Sequence, residues 1–308
     1  MNARILQWVV LGALASALAW LGFWWPRSPA VAAAGLALGL IAPGLQLGLQ
    51  MALMRRVARA AGAPMPPWRV AVAAWRAEGW LMLRVFGWRV PFREQAEPDG
   101  WPQAGHGGGQ VGVVLVHGYF CNRGFWAPWL RALKAQGIAC AAMTLEPAQG
   151  ASIDAMVPSL DACARRMAQA TGRPPLIVAH SMGGLAARAW LRQLAPQERR
   201  ALAAHVVTLG TPHRGTWLAR FSRSLPGHEM RQDSDWLRQL AGAPAEVPFT
   251  CWWSACDNIV FPWPVATLPH SAEQSLTDVA HVQLAFDERV RRFCLALRQR
   301  LQEGEGVN

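Results

Sequence analysis

Acidic side chains are almost missing from the first ninety residues, which carry nine arginines against a single carboxylate. Residues 91–308 hold twenty-one Lys and Arg against eighteen acids, so surpluses of eight and of three make up the formal charge of +11. The basic excess therefore flanks apolar segments, while the downstream part is nearly balanced. A basic stripe for phosphate backbones would be expected on the folded domain, so this distribution disfavours nucleic acid and favours anionic lipid headgroups. Metal and nucleotide patterns are missing as well: there is no His-Glu-x-x-His pair, no Cys-x-x-Cys ligand set and no phosphate-binding glycine loop. Six cysteines, at positions 121, 140, 163, 251, 256 and 294, are scattered without metal-ligand spacing. Several fall in apparent strands or helices, where a buried free thiol is the ordinary expectation, and this suits a reducing compartment. No internal repeat is visible.

Charge is also missing from residues 5–25 and 31–54, runs of twenty-one and twenty-four residues. At about 1.5 Å per helical residue, either run crosses a hydrocarbon layer of roughly 30 Å. Trp8, Trp20, Trp24 and Trp25 include residues placed as interface anchors, and Gly35-x-x-x-Gly39 has helix-packing spacing. Pro43, Gln46 and Gln50 weaken the second span without forbidding it inside a helical hairpin. A cleaved secretory signal is the rival for the first run, and Ala30-Val31-Ala32 offers a cleavage pattern. The apolar core is longer than such signals use, and a second apolar span follows directly. Residues 1–60 are therefore expected to form a two-helix membrane anchor. Arg4 precedes the first span, Arg27 lies between spans, and Arg55, Arg56 and Arg59 follow the second. The positive-inside rule then puts both termini and the downstream domain on the cytoplasmic side of the inner membrane. If the second span failed to insert, that domain would face outward.

Residues 61–110 read as a juxtamembrane amphipathic segment followed by a linker. The stretch 68–92 interleaves Trp68, Trp75, Trp80 and Trp88 with Arg69, Arg76, Arg84 and Arg89, which suits either a helix on the membrane surface or one packed on the downstream domain. From 93 to 110 the composition turns to Pro, Gly, Gln and acids, including Gly107-Gly108-Gly109. About 200 residues remain, enough for one domain with a sizeable core. Residues 302–308 are expected to be a disordered tail.

The most informative stretch is Ala179-His180-Ser181-Met182-Gly183-Gly184. An apolar, β-prone run (175–179) precedes it and a helical pattern (185–194) follows it. A serine at such a strand-to-helix turn is a nucleophile candidate, and the crowded backbone demands small residues two before and two after, here Ala179 and Gly183. The usual pattern has glycine at both positions. A serine hydroxyl needs a base, and the base needs a carboxylate to orient it. The β-prone run 248–254 ends at Ala255-Cys256-Asp257-Asn258, making Asp257 the acid, with Asp278 and Asp287 as rivals nearer the histidine in sequence. His281, ahead of a helix expected to reach about residue 301, is the base, with His270 as its rival. His180 is read as a packing or hydrogen-bonding neighbour. Acyl transfer also needs two N–H donors for the oxyanion. Met182 supplies one, and Tyr119 the other, from His117-Gly118-Tyr119-Phe120 at the end of the strand-like run 111–116.

Together, His117-Gly118, the serine hexapeptide and Leu209-Gly210-Thr211-Pro212-His213-Arg214-Gly215 resemble the α/β-hydrolase superfamily, and within it the bacterial triacylglycerol-lipase-like branch. The resemblance covers about 111–301. It implies an α/β fold with eight mostly parallel strands and helices on both faces, preceded here by the transmembrane hairpin. It also implies a Ser–His–Asp triad and no organic cofactor. That branch often carries a structural calcium near the histidine; Asp278 and Asp287 stand there without a second acidic cluster, so the metal is left unassigned. In such lipases the Gly-Thr-Pro-His element leads into a mobile lid.

The insertion 214–248 is long for a connection and mixes Trp217, Leu218, Phe221, Leu225, Met230, Trp236, Leu237 and Leu240 with arginines and prolines. It is expected either to line an apolar acyl pocket as a lid or simply to cover the core. The expected activity is hydrolysis of a lipid-like or other apolar carboxylic ester. A membrane-bound acyltransferase or thioesterase using the same three residues, and a noncatalytic binding protein on the same fold, are the competing readings.

Overall fold

Two long helices open the chain, α1 (Asn2–Trp24) and α2 (Pro29–Ala60). In the tight turn between them Ser28 accepts a hydrogen bond from the Val31 amide and Pro29 takes the first helical position, both ordinary helix-start chemistry. The computed structural model describes residues 2–102, 108–147, 150–240 and 246–304. Both helices are long and apolar enough to cross a membrane, and their apolar windows are 0% and 11% buried. They pack against each other, and the ends remote from the turn rest on the rest of the protein. Asn2 donates to the Cys121 carbonyl (2.8 Å) and Gln7 to the Pro91 carbonyl (2.6 Å), while Leu47, Met51, Met54 and Ala58 of α2 are buried. The last third of α2 is thus a packing element, and the apolar run expected to span up to residue 54 is only partly free.

α3 (Trp68–Arg84) continues through a π-helical turn (Val85–Arg89) into α4 (Val90–Phe92). Ala71, Ala74 and Glu78 are buried on one face of α3, and Trp68, Val72, Trp80 and Leu83 are exposed on the other. The expected linker at 93–110 is anchored over its described first part. Glu97 pairs with Lys134 (2.6 Å) and Arg131 (3.2 Å), and Asp99 with Arg123 (2.6 Å). Residues 103–107, including Gly107 of the triple glycine, lie outside the described residues.

Six parallel strands form one sheet: β1 (Val113–Val116), β2 (Cys140–Ala142), β3 (Leu176–His180), β4 (His205–Leu209), β5 (Phe249–Ser254) and β6 (Ala272–Leu276), in the order β2-β1-β3-β4-β5-β6. Central strands covered on both faces read as unbroken apolar runs, and Val113-Val114-Leu115-Val116 is buried throughout. The resemblance implied eight strands; six are found among the described residues. Upstream of β1, 68–92 carries four alanines and four arginines and is helical, so among the described residues there only Gly100 adds to the sheet, as an isolated antiparallel bridge to Cys140.

Helices cover both faces. On one lie α6 (Ile153–Thr171), α7 (Met182–Gln193) and α8 (Pro196–Leu202), with Leu160, Met167, Leu185 and Trp190 in the core. On the other lie α5 (Ala127–Lys134) and α12 (Glu288–Glu303), joined by Val85 and Val90. Two short helices, α9 (Leu225–Glu229) and α10 (Asp235–Gln239), sit in the insertion after β4, and α11 (His281–Leu284) precedes α12. Helix α12 runs past residue 301 to a left-handed cap at Gly304; residues 305–308 of the expected tail lie outside the described residues.

Candidate active site

Ser181 stands between β3 and α7 with φ 56° and ψ −129°, a backbone conformation that a side-chain-bearing residue adopts only when its surroundings enforce it. Two neighbouring loops do so. A Cβ on Gly183 would lie 2.5 Å from the His117 carbonyl oxygen, and one on Gly184 would lie 2.1 Å from Thr211 Oγ1. The Ser181 amide donates to the Leu209 carbonyl (2.9 Å), and its own carbonyl accepts from Thr211 Oγ1 (2.8 Å). The Gly-Thr-Pro-His motif therefore braces the turn. It is held in turn by Thr208 Oγ1 on His213 Nε2 (2.9 Å) and by Arg188 donating to the His213 carbonyl (2.9 Å).

Three distant side chains meet here. His281 Nε2 lies 3.0 Å from Ser181 Oγ, and His281 Nδ1 lies 2.9 Å from Asp257 Oδ2. With Nδ1–H donating to the carboxylate, Nε2 is left to accept the serine proton. The other oxygen of Asp257 accepts from the Ile259 and Val260 amides (2.9 and 2.7 Å), so the carboxylate is locked in a turn past β5. All three residues are buried, with Ser181 8% exposed. Burial alone would lower the His281 pKa, but the charge and hydrogen bond of Asp257, with Glu78 farther off, hold it above the ordinary value.

Residues 113–300, more than half of the chain, match the family described as "Alpha/beta hydrolase family". The chain belongs to the alpha/beta hydrolase family. The mature form of Bacillus licheniformis lipase BlEst2 is similar at 17% identity, with a TM-score of 0.54 over 62% of this chain and 92% of that one. Its propeptide form gives 17% and 0.52 over 67% and 52%, and a Paleococcus ferrophilus monoacylglycerol lipase 15% and 0.44 over 63% and 96%. At such identities the likeness concerns the fold. No curated protein matches.

The rival residues of this hydrolase lie elsewhere. His270 is exposed on a turn, and Asp278 and Asp287 both bind Arg289 at 2.8 Å. With its oxygens engaged by that guanidinium, the pair does not fit a calcium ion, and no group of three or more potential ligands occurs among the described residues. His180 stacks on Phe125 (centroids 5.0 Å apart) and its Nε2 meets the His281 carbonyl (3.1 Å); burial pushes its pKa far down, so it stays neutral.

The loop after β1 lies against the serine. A Cβ on Gly118 would come 2.8 Å from Ser181 Cβ, so only glycine lets this loop approach the serine so closely. His117 pins that loop: its Nδ1 donates to the Gly118 carbonyl (2.7 Å) and its Nε2 accepts from the Leu145 amide (3.0 Å). Met182 opens α7, so its N–H is one of the four that a helix start leaves without an internal partner.

The insertion after β4 divides in two. Met230, Leu237 and Leu240 are buried in the core, with Trp236 packed against it, so that part covers the sheet. Trp217 stacks on Phe261 (5.9 Å) and packs with Leu218 against the apolar cluster that Phe261 shares with Met51 and Met54 of α2, while Phe221 and Leu225 are 65% and 46% exposed. Residues 241–245 of this insertion lie outside the described residues.

Sequence reasoning missed two residues that hold the histidine's turn. Glu78 accepts hydrogen bonds from the Val282 and Gln283 amides (2.8 and 3.0 Å). Asn258 accepts from the His281 amide (3.3 Å) and donates to Gln50 Oε1 (2.8 Å). One signal for Glu78 was present: it is the lone acid among the first ninety residues, set in an apolar segment.

Proposed function

We propose that this alpha/beta hydrolase is a membrane-anchored lipase or esterase that cleaves carboxylic esters of apolar or lipid-like substrates through an acyl-enzyme on Ser181. The observation that carries the reading is the continuous hydrogen-bonded chain Ser181–His281–Asp257, at 3.0 and 2.9 Å. His281, oriented by Asp257, takes the serine proton as Oγ attacks the ester carbonyl, and the amides of Met182 and Tyr119 hold the oxyanion. The imidazolium returns its proton to the leaving alcohol. Water, deprotonated by the same ring, then attacks the acyl-enzyme and releases the acid. No organic cofactor and no metal is needed for these steps. A serine rather than an aspartate at the turn favours ester chemistry over epoxide or carbon–halogen opening.

Membrane anchoring is supported by the two apolar helices and by the way they sit. Asn2 of α1 and the end of α2 both touch the hydrolase domain, so the connecting turn points away from it. Such a hairpin keeps both termini on one side, and the arginine distribution makes that side the cytoplasm. Exposed Trp68, Val72, Trp80 and Leu83 on α3 suit the adjoining headgroup layer.

Purified full chain in detergent micelles is expected to hydrolyse p-nitrophenyl esters and to react with a fluorophosphonate probe. Ser181→Ala is expected to abolish both, with a loss of activity of at least about 10³-fold. Wild-type activity in Ser181→Ala would sink the reading. A preference for long acyl chains with abrupt activation at micelles marks a lipase; short-chain preference indifferent to micelles marks an esterase.

A further inference from the structure

Helix α11 is only four residues long and begins at the histidine, so its first amides have no partner within the helix. They find one on a different part of the chain. Glu78, 1% exposed in the middle of α3, places one carboxylate oxygen 2.8 Å from the Val282 amide and the other 3.0 Å from the Gln283 amide. The Gln283 side chain reaches back to the Ala74 carbonyl (2.6 Å), giving α3 a second hold on the same turn. No cation pairs with Glu78 among the described residues. A buried carboxylate without a cation is costly, but its two oxygens give each amide an acceptor, whereas a side-chain amide would set its NH2 against one of the two N–H groups. The charge comes with that double acceptor, directly beside the turn that carries the imidazole.

We propose that Glu78 is a positioning residue for His281: its carboxylate fixes the turn that carries the imidazole and lends a negative charge that favours the imidazolium formed when Ser181 gives up its proton. The inference rests on the acyl-enzyme reading above and adds to it that the N-terminal helices complete the active site. Glu78 lies outside the 113–300 segment that matches the family, so the support belongs to this chain's own upstream module. Asn258 makes a parallel connection, joining the His281 amide to Gln50 of α2.

The titratable groups that bear on Glu78 are His281 from α11 and Asp257 from the loop after β5. From α2, Met51 and Met54 join Ala74 in one apolar cluster and contribute no ionisable group. Burial pushes the Glu78 carboxyl up to about 7, against the two amides and the charge of His281, which favour its ionised form. Its charge is thus expressed in the same pH range in which the histidine works as a base.

The test compares Glu78→Gln and Glu78→Asp with the wild type, as full chains in micelles, by pH profiles of kcat and kcat/KM on one p-nitrophenyl ester. Glu78→Gln removes the charge, keeps the size and turns one of the two acceptors into a donor, so the pH profile rather than the rate alone reads the charge. It is expected to lower kcat about tenfold or more with KM nearly unchanged, and to move the acid limb of kcat/KM down by about half a pH unit or more. Glu78→Asp keeps the charge at a looser distance, so its acid limb should stay near that of the wild type while kcat is reduced. An acid limb in Glu78→Gln that coincides with the wild type overturns the proposal, whatever happens to the melting temperature. If Glu78→Gln does not fold, Glu78→Asp decides: a limb displaced as far as half a unit also overturns it. Failure of the underlying reading is recognised separately, by wild-type activity in Ser181→Ala.

Discussion

At Gly210 a single missing methyl group keeps the relay together. The residue follows β4 with φ +57°, and a Cβ there would lie 2.9 Å from Asp257 Oδ2 and 3.2 Å from His281 Nδ1. Gly210→Ala combines backbone strain of about 1–3 kcal/mol with a methyl pressed onto the hydrogen bond that orients the imidazole. The expected outcome is a chain that still folds but loses about tenfold or more in kcat/KM on p-nitrophenyl esters; unchanged kinetics would contradict the contact. The sequence pointed to Ser181 and Asp257 because each follows a recognisable strand, and to His281 because it stands ahead of a helix at the place in chain order that such sites use. It disclosed Gly183 because a small residue there belongs to the pattern of such turns, although the atoms a Cβ would meet come from Val116 and His117 at the end of β1. The need for Gly210 was not legible, since the atoms that would collide with a side chain arrive from far downstream. Glu78 was hidden for the same reason: what it holds lies some two hundred residues away.

Among the elements, legibility followed burial. β1, β3, β4 and β5 are covered on both faces and announce themselves as apolar runs. β2 has three residues, and β6, Ala272-Glu273-Gln274-Ser275-Leu276, is exposed except at Leu276; both are edge strands whose pairing a pattern of hydrophobicity does not encode. The helix expected to run on from His281 is divided into α11 and α12, because Asp287 leaves the helical path and accepts from the Arg289 amide (2.8 Å) as a cap. That separation lets the histidine's turn be held from α3 independently of the long helix behind it. Asp287→Ala is expected to cost about 1 kcal/mol through the lost cap, lowering the melting temperature by roughly 2–4 °C with little effect on ester hydrolysis. Ala74→Leu belongs to the same scale. Ala74 is 1% exposed where α3 meets α2 and α11, and crowding by three extra side-chain carbons should cost about 1–3 kcal/mol. Its activity should fall as well as its stability, in contrast to Asp287→Ala; equal effects on both would deny that α3 seats the histidine.

For the molecule as a whole, buried histidines set the response to acid. Burial lowers the pKa of His117 and His205 to about 4, and of His180 and His213 well below the ordinary value. An unfolded histidine takes up its proton near pH 6.5, so stability present above that pH is lost as the pH falls toward 4, by roughly 3 kcal/mol for each of His117 and His205. Glu78 acts in the opposite sense: with its folded pKa raised to about 7, its contribution is present at low pH and lost as the pH rises from about 4.5 through 7. His281 and Glu229, also raised, act in the same sense as Glu78, but the part due to His281 is already complete below pH 6.5, so between pH 6.5 and 4 the four histidines outweigh the raised groups. Thermal unfolding in micelles should therefore show a melting temperature that drops between pH 6.5 and 4, with the slope reduced in His205→Gln; a flat profile would refute the assignment of neutral, buried rings.

The amino-terminal end of α1 carries a practical corollary. Asn2 is 3% exposed and bonded to the Cys121 carbonyl, whereas Glu303 and Gly304 at the far end of α12 are exposed. The Asn2 side chain is tucked against the loop that follows the serine's neighbour strand while the last turn of α12 is open to solvent, so labels for purification or imaging belong at the carboxyl end.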